Sequence, residues 1–203
     1  MSQNRIKEIL SCPIYSSYKN ARSHDERAKL VWDYVSECCF CHPNRFYCDE
    51  FISSYNTYQK ENDKNYEDAT NVIQGCIIRH KLLKAKKDEL ILLYPIYTKF
   101  PSGECLHCLV KYPSISFRCD SYISMARAFW DSMPENEIQL VKLLTKHTQR
   151  PPLPGLRFMN LDEVVGLGQK ELSLPKAEVL NLVEKLLKRD VLEKSTDGIR
   201  IKV

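Results

Sequence analysis

A chain of 203 residues is long enough for one domain or two small ones, and 43% hydrophobic with 28% charged residues is the balance of a globular protein. No apolar run approaches the roughly 20 residues that a membrane-spanning helix needs. The net charge of +4 is compatible with an anionic partner but too small to argue for nucleic acid by itself.

In chain order, residues 1–24 form an N-terminal extension. It lacks the apolar h-region of a secretory signal, and Ser2 is not the glycine of a myristoylation site. A C-terminal prenylation cysteine is also missing, so no lipid anchor is expected. An apolar-aromatic patch, Cys12 to Tyr15 with Tyr18, is interrupted by Pro13, which argues against one regular helix.

Residues 25–95 predict a first winged helix. Ala28, Val31, Trp32, Val35 and Cys39 recur at helical spacing, and Pro43 ends that helix. Phe46-Tyr47 predicts a short strand, and Asp49 caps a second helix carrying Phe51, Ile52 and Tyr55. A third helix carries Ala69, Val72, Ile73, Cys76, Ile77 and His80. A two-stranded wing over residues 82–94, turning at 86–89, completes the module.

Residues 96–133 are an irregular apolar-aromatic connector, broken by Pro101, Gly103 and Pro113. Residues 134–203 predict a second winged helix. Pro134 opens a helix with Ile138, Val141 and Leu144 inward, and a proline-rich link leads to a short strand at Phe158-Met159. Asn160 and Glu163 make a capping box, and Ser173 caps a helix carrying Val179, Val183, Leu186 and Leu187. A hairpin around Asp197-Gly198 closes the chain.

The two modules carry one pattern twice: residues 74–94 superimpose on 183–203 without a gap, Asp88 falling on Asp197. The copies differ at their last strand. Ile199-Arg200-Ile201 alternates, whereas Leu90 to Tyr94 is apolar on both faces and must be covered on both. The fold class is therefore α+β, mainly α, with tandem winged-helix domains.

Chemistry is sparse. Five scattered histidines, no nucleophile elbow and only six glycines point away from an enzyme and from any cofactor. Nine cysteines without a signal or glycosylation sequons suggest free thiols in a reducing compartment. The zinc candidates are Cys38 and Cys41 in one Cys-x-x-Cys and Cys105 and Cys108 in another. Zinc is not expected, because the pairs stand 64 positions apart and free cysteine is a common core residue. Nucleic acid is not the expected partner either. The first recognition-position helix opens with Tyr66-Glu67-Asp68, which repels phosphate, and a nucleic-acid-binding tandem winged helix is the alternative reading. The connector instead predicts an apolar surface with a cationic rim, suited to an anionic membrane surface.

Several stretches resemble the ESCRT-II/ESCRT-III hybrid family of charged multivesicular body protein seven, in its N-terminal tandem winged-helix half. They are Ile14 to Lys19 with Asp25 through Trp32, Leu109-Val110-Lys111-Tyr112-Pro113 with Ile115, Met133-Pro134-Glu135, and the final hairpin. The resemblance implies a non-enzymatic membrane-binding adaptor that recruits ESCRT-III subunits for membrane sealing. It implies a LEM-domain inner nuclear membrane protein as partner, and a cytoplasmic location peripheral to the nuclear envelope and endoplasmic reticulum. The lipid-contacting residues it implies are Leu106, Leu109, Val110, Tyr112, Ile115 and Phe117, with Lys111 on the rim. The ESCRT-III helical core does not follow in this chain, so polymerisation is not implied for these residues.

Overall fold

The computed structural model describes residues 3–41, 43–98, 103–148 and 158–201. They are mainly helical, with one two-stranded antiparallel sheet among them. The chain divides into two compact units, one of Met1–Tyr97 with Ser102–Ser132, the other built on Met133–Val203.

Among the described residues the first unit is helical: α1 (Gln3–Leu10), α2 (Pro13–Asn20), α3 (His24–Phe40), α4 (Asp49–Asn62), α5 (Tyr66–Gly75), α6 (Ile77–Leu82), α7 (Lys87–Thr98), α8 (Glu104–Lys111) and α9 (Asp120–Asp131). Tight 3-10 turns at Asn44–Phe46 and Pro113–Phe117 precede α4 and α9. Extended backbone at Cys12, followed by Pro13 in the first turn of α2, separates α1 from α2. Ser23 accepts a hydrogen bond from the Glu26 N–H and starts α3.

Two aromatic groups hold this unit together. Tyr18, Val31, Phe51, Tyr55 and Phe117 form one buried cluster, with Phe117 edge-on to Phe51 and Tyr55 at 5.1 and 5.2 Å. Tyr94 stacks on Phe129 at 4.6 Å beside Trp130 and Tyr122 in the other. Burying one such ring stabilises the fold by about 1.5–3 kcal/mol, and edge-to-face pairing adds about 0.5–1.5. Trp32, predicted on the inner face of α3, is instead 73% exposed against Tyr58. Of the same set, the side chains of Val35 and Cys39 lie outside the described residues.

The structure corrects the first module at its strands. Phe46 and Tyr47 belong to a 3-10 turn and its end, and the segment predicted as the wing is α6, a turn and α7. The apolar run Leu90 to Tyr94 is covered by helical wrapping, not by sheet neighbours. A short all-apolar run does not distinguish a buried strand from a helix. Local chemistry decides here: Asp88 and Glu89 lie in the first turn of α7, and the Glu89 carboxylate accepts from the Lys86 N–H. Helix also replaces the irregular connector, since α8 and α9 occupy most of it.

The second unit follows the predicted order: α10 (Glu135–Thr148), a β-bridge at Met159, α11 (Leu161–Leu172), α12 (Lys176–Lys188), then β1 (Leu192–Ser195) paired with β2 (Gly198–Ile201). Ile138, Val141, Leu144, Val179, Val183 and Leu186 are all buried. The Asn160–Glu163 capping box forms with both bonds, at 2.7 and 3.0 Å. Ser173, predicted to cap α12, instead ends α11 in the left-handed conformation, and Pro175 occupies the cap of α12. Leu192 pairs with Ile201 and Lys194 with Ile199, and Met159 exchanges two 2.8 Å backbone hydrogen bonds with Ile199. Ile199 and Ile201 point into the unit while Arg200 stays half-exposed, the single wet face that alternation predicts.

Candidate cysteine centres

The segment predicted to meet lipid does not form one exposed apolar face. Ile115 and Phe117 are 4% and 3% exposed, and Phe117 is part of the Tyr18–Phe51 cluster. The reason is geometric: the 3-10 turn at Pro113–Phe117 folds these two side chains under α4 and α9. Leu109 and Tyr112 are half-buried. Lys111 is exposed, with its Nζ 5.2 Å from the Tyr112 ring centre. The side chains of Leu106 and Val110 lie outside the described residues.

Eight cysteines instead gather into two quartets, both in the first unit. Cys12, Cys38, Cys41 and Cys48 line one pocket of about 110 Å³. Cys76, Cys105, Cys108 and Cys119 line another of about 140 Å³. All eight are thiols. Each quartet is drawn from the same places in the local structure. One cysteine sits at the start of a helix (Cys12 before α2, Cys76 before α6). A Cys-x-x-Cys lies on a helix leading into a 3-10 turn (α3 with Cys41 at its end, and α8). A last cysteine stands at the start of the next helix (Cys48 before α4, Cys119 before α9).

The last position repeats in sequence as well: Cys48-Asp49-Glu50-Phe51-Ile52-Ser53 against Cys119-Asp120-Ser121-Tyr122-Ile123-Ser124. In both, an arginine clamps the aspartate after the cysteine. Arg127 Nη2 lies 2.7 Å from Asp49 Oδ1, and Arg79 reaches both oxygens of Asp120 at 3.0 Å. The Arg79 contact is a two-bond fork and that of Arg127 a single bond, its Nε donating to the Phe46 carbonyl; both tie down the helix start behind a cysteine.

Burial dominates the electrostatics of both quartets. Desolvation pushes the Cys38 and Cys105 thiols up to about 12 and Cys48 to about 11, and also raises Cys108 and Cys119. The neighbouring cysteines of the same quartet add to the rise. Backbone amides oppose it: that of Phe51 lowers Cys48, and those of Tyr122 and Ser121 lower Cys119. Such groups are protonated at neutral pH unless a cation stabilises the thiolate, which is what a metal ion does.

The zinc candidates therefore do not pair with one another across the chain. Cys38 and Cys41 fall in the first quartet, Cys105 and Cys108 in the second. Sequence reading found the two Cys-x-x-Cys pairs and missed Cys12, Cys48, Cys76 and Cys119. The repeated Cys-Asp-x-aromatic-Ile-Ser stretch was the available signal. Among the described residues, no three His, Cys, Asp or Glu side chains are arranged to hold a single metal ion. No helix of the described residues is long and apolar enough to cross a membrane. Comparison with protein-family models, with curated proteins and with solved structures finds no match to the chain.

Proposed function

We propose that the chain is a non-enzymatic metal-binding adaptor. Two four-thiolate metal centres organise the first unit, and the second is a winged helix that engages a partner. The carrying observation is the duplication: four cysteines from equivalent structural places line a pocket, twice in one small unit. A scattered set of core cysteines has no reason to repeat in that way. Four thiolates suit zinc or iron–sulfur chemistry, and the free energy of metal binding would add to folding. The winged-helix reading of residues 133–203 is supported by the element order and by the Met159–Ile199 bridge, the third strand position of such a sheet. Metal analysis of protein purified under reducing conditions tests the proposal. Stoichiometric metal is expected, lost in part in Cys48→Ser and Cys119→Ser. Metal-free protein of unchanged thermal stability would refute it.

Exposed groups elsewhere favour a second reading, membrane contact of the kind the ESCRT family resemblance implies. Along α6 and α7, Ile77, Leu83, Leu92 and Ile96 are 54–72% exposed, and Lys81, Lys84, Lys86 and Lys87 are exposed beside them in sequence. Apolar side chains with adjacent lysines suit an anionic lipid interface. Flotation with phosphatidylserine liposomes checks this: Leu92→Asp with Ile96→Asp should abolish binding, and equal binding of wild type and variant would rule this surface out.

A further inference from the structure

We infer that each cysteine quartet ligates a four-iron, four-sulfide cluster and not a single zinc ion. This rests on the metal-binding reading above and names its cofactor. Scale argues first. With zinc–sulfur bonds of about 2.3 Å, the sulfurs of a tetrahedral site stand about 3.8 Å apart and leave no void between them. Here each quartet shares with other side chains the lining of a partly open pocket, of about 110 and 140 Å³, where a single water needs only about 10–15 Å³. No three of these side chains are arranged around one ion. A cluster places its own metal and sulfide atoms in that space and leaves each cysteine bound to a different iron.

Spacing points the same way. Zinc sites of this size commonly set two close-spaced knuckles against each other. Each quartet here has one Cys-x-x-Cys and two single cysteines. The upstream one is separated from it by 25 intervening residues in the first quartet and 28 in the second, and the downstream one by 6 and 10. One Cys-x-x-Cys with distant single cysteines is a pattern that iron–sulfur proteins use. The surroundings also fit. Ile9, Ile14 and Phe51 border the first pocket beside Glu8, Glu37 and Arg45, and Val72, Ile73 and Leu109 the second beside Glu104. An apolar wall limits water at a cluster, and the Arg79 N–H at the Cys76 sulfur is the kind of hydrogen bond that tunes one. On binding, each of the four thiols gives its proton to solvent and its sulfur forms one bond to iron. No electron is transferred in that step.

The test is anaerobic purification of the full chain from cells supplied with both iron and zinc, followed by metal and acid-labile sulfide analysis. Expected are about eight iron and eight sulfide per chain, two four-iron clusters, with a broad visible charge-transfer absorption and a paramagnetic signal after dithionite reduction. Cys105→Ser with Cys108→Ser should halve both contents, as should Cys38→Ser with Cys41→Ser. The wild-type stoichiometry decides even if these variants fail to fold. About two zinc per chain without sulfide would overturn the cluster inference and leave the metal-binding reading standing. Protein without stoichiometric metal of any kind would overturn both.

Discussion

Gly198 adopts φ +129°, and a Cβ built on it would lie 2.4 Å from the Met159 carbonyl oxygen. Only glycine accepts both conditions without strain. Gly198→Ala should therefore destabilise the second unit by about 1–3 kcal/mol, measured by denaturant unfolding of the full chain with the β1–β2 amides followed by hydrogen exchange. Gly166 supplies the contrast, for it lies within α11 and a Cβ there meets nothing within 4 Å. Gly166→Ala should stabilise the same unit by up to about 1 kcal/mol. The same glycine accounts for the divergence of the two aligned segments. The position matching Gly198 in the first copy is Glu89, which cannot take this turn and instead supplies a carboxylate to the start of α7. The aligned segment that lacks this glycine is a helix.

At the scale of elements, α10 and α11 are joined by Glu171, whose carboxylate lies 2.8 Å from the His147 Nε2 and 3.4 Å from the Lys146 Nζ. The His147 hydrogen bond, then the Lys146 and His147 charges, hold the Glu171 carboxyl below its usual 4.5. A lowered carboxyl contributes stability that is present above 4.5 and is lost as pH falls through the folded value. Glu171→Gln should accordingly lower stability above about pH 5, leave it little changed once the carboxyl is protonated, and so flatten the acid limb of the profile, a modest effect for a solvated pair. Elements were legible where side chains announce their ends. Asn160 with Glu163, Pro134 and Asp197-Gly198 each mark a boundary by local chemistry, and α10, α11 and the hairpin follow. In the connector, Gly103 and Pro113 interrupt the pattern, and α8 runs between those breaks and α9 after the second, where an irregular segment was predicted. The burial of Ile115 and Phe117 had no local sign, because it depends on α4 and α9 closing over a 3-10 turn.

For the whole molecule, two compact units with the cysteine quartets confined to one imply separate responses to metal loss. On the proposed reading, chelation or cluster oxidation should lower the unfolding temperature of the first unit and leave that of the second unchanged. Two-domain calorimetry would resolve this, and equal shifts in both transitions would contradict it. The sequence by itself determined the mainly helical class and the second unit's element order. Composition, period and capping chemistry act within a few residues and can be read along the chain. Only the tertiary structure decided which cysteines share a pocket and which apolar residues are covered. Cys12 meets Cys38, and Cys76 meets Cys105, across more than two dozen intervening residues, and the packing of helices sets those distances, not the spacing of letters.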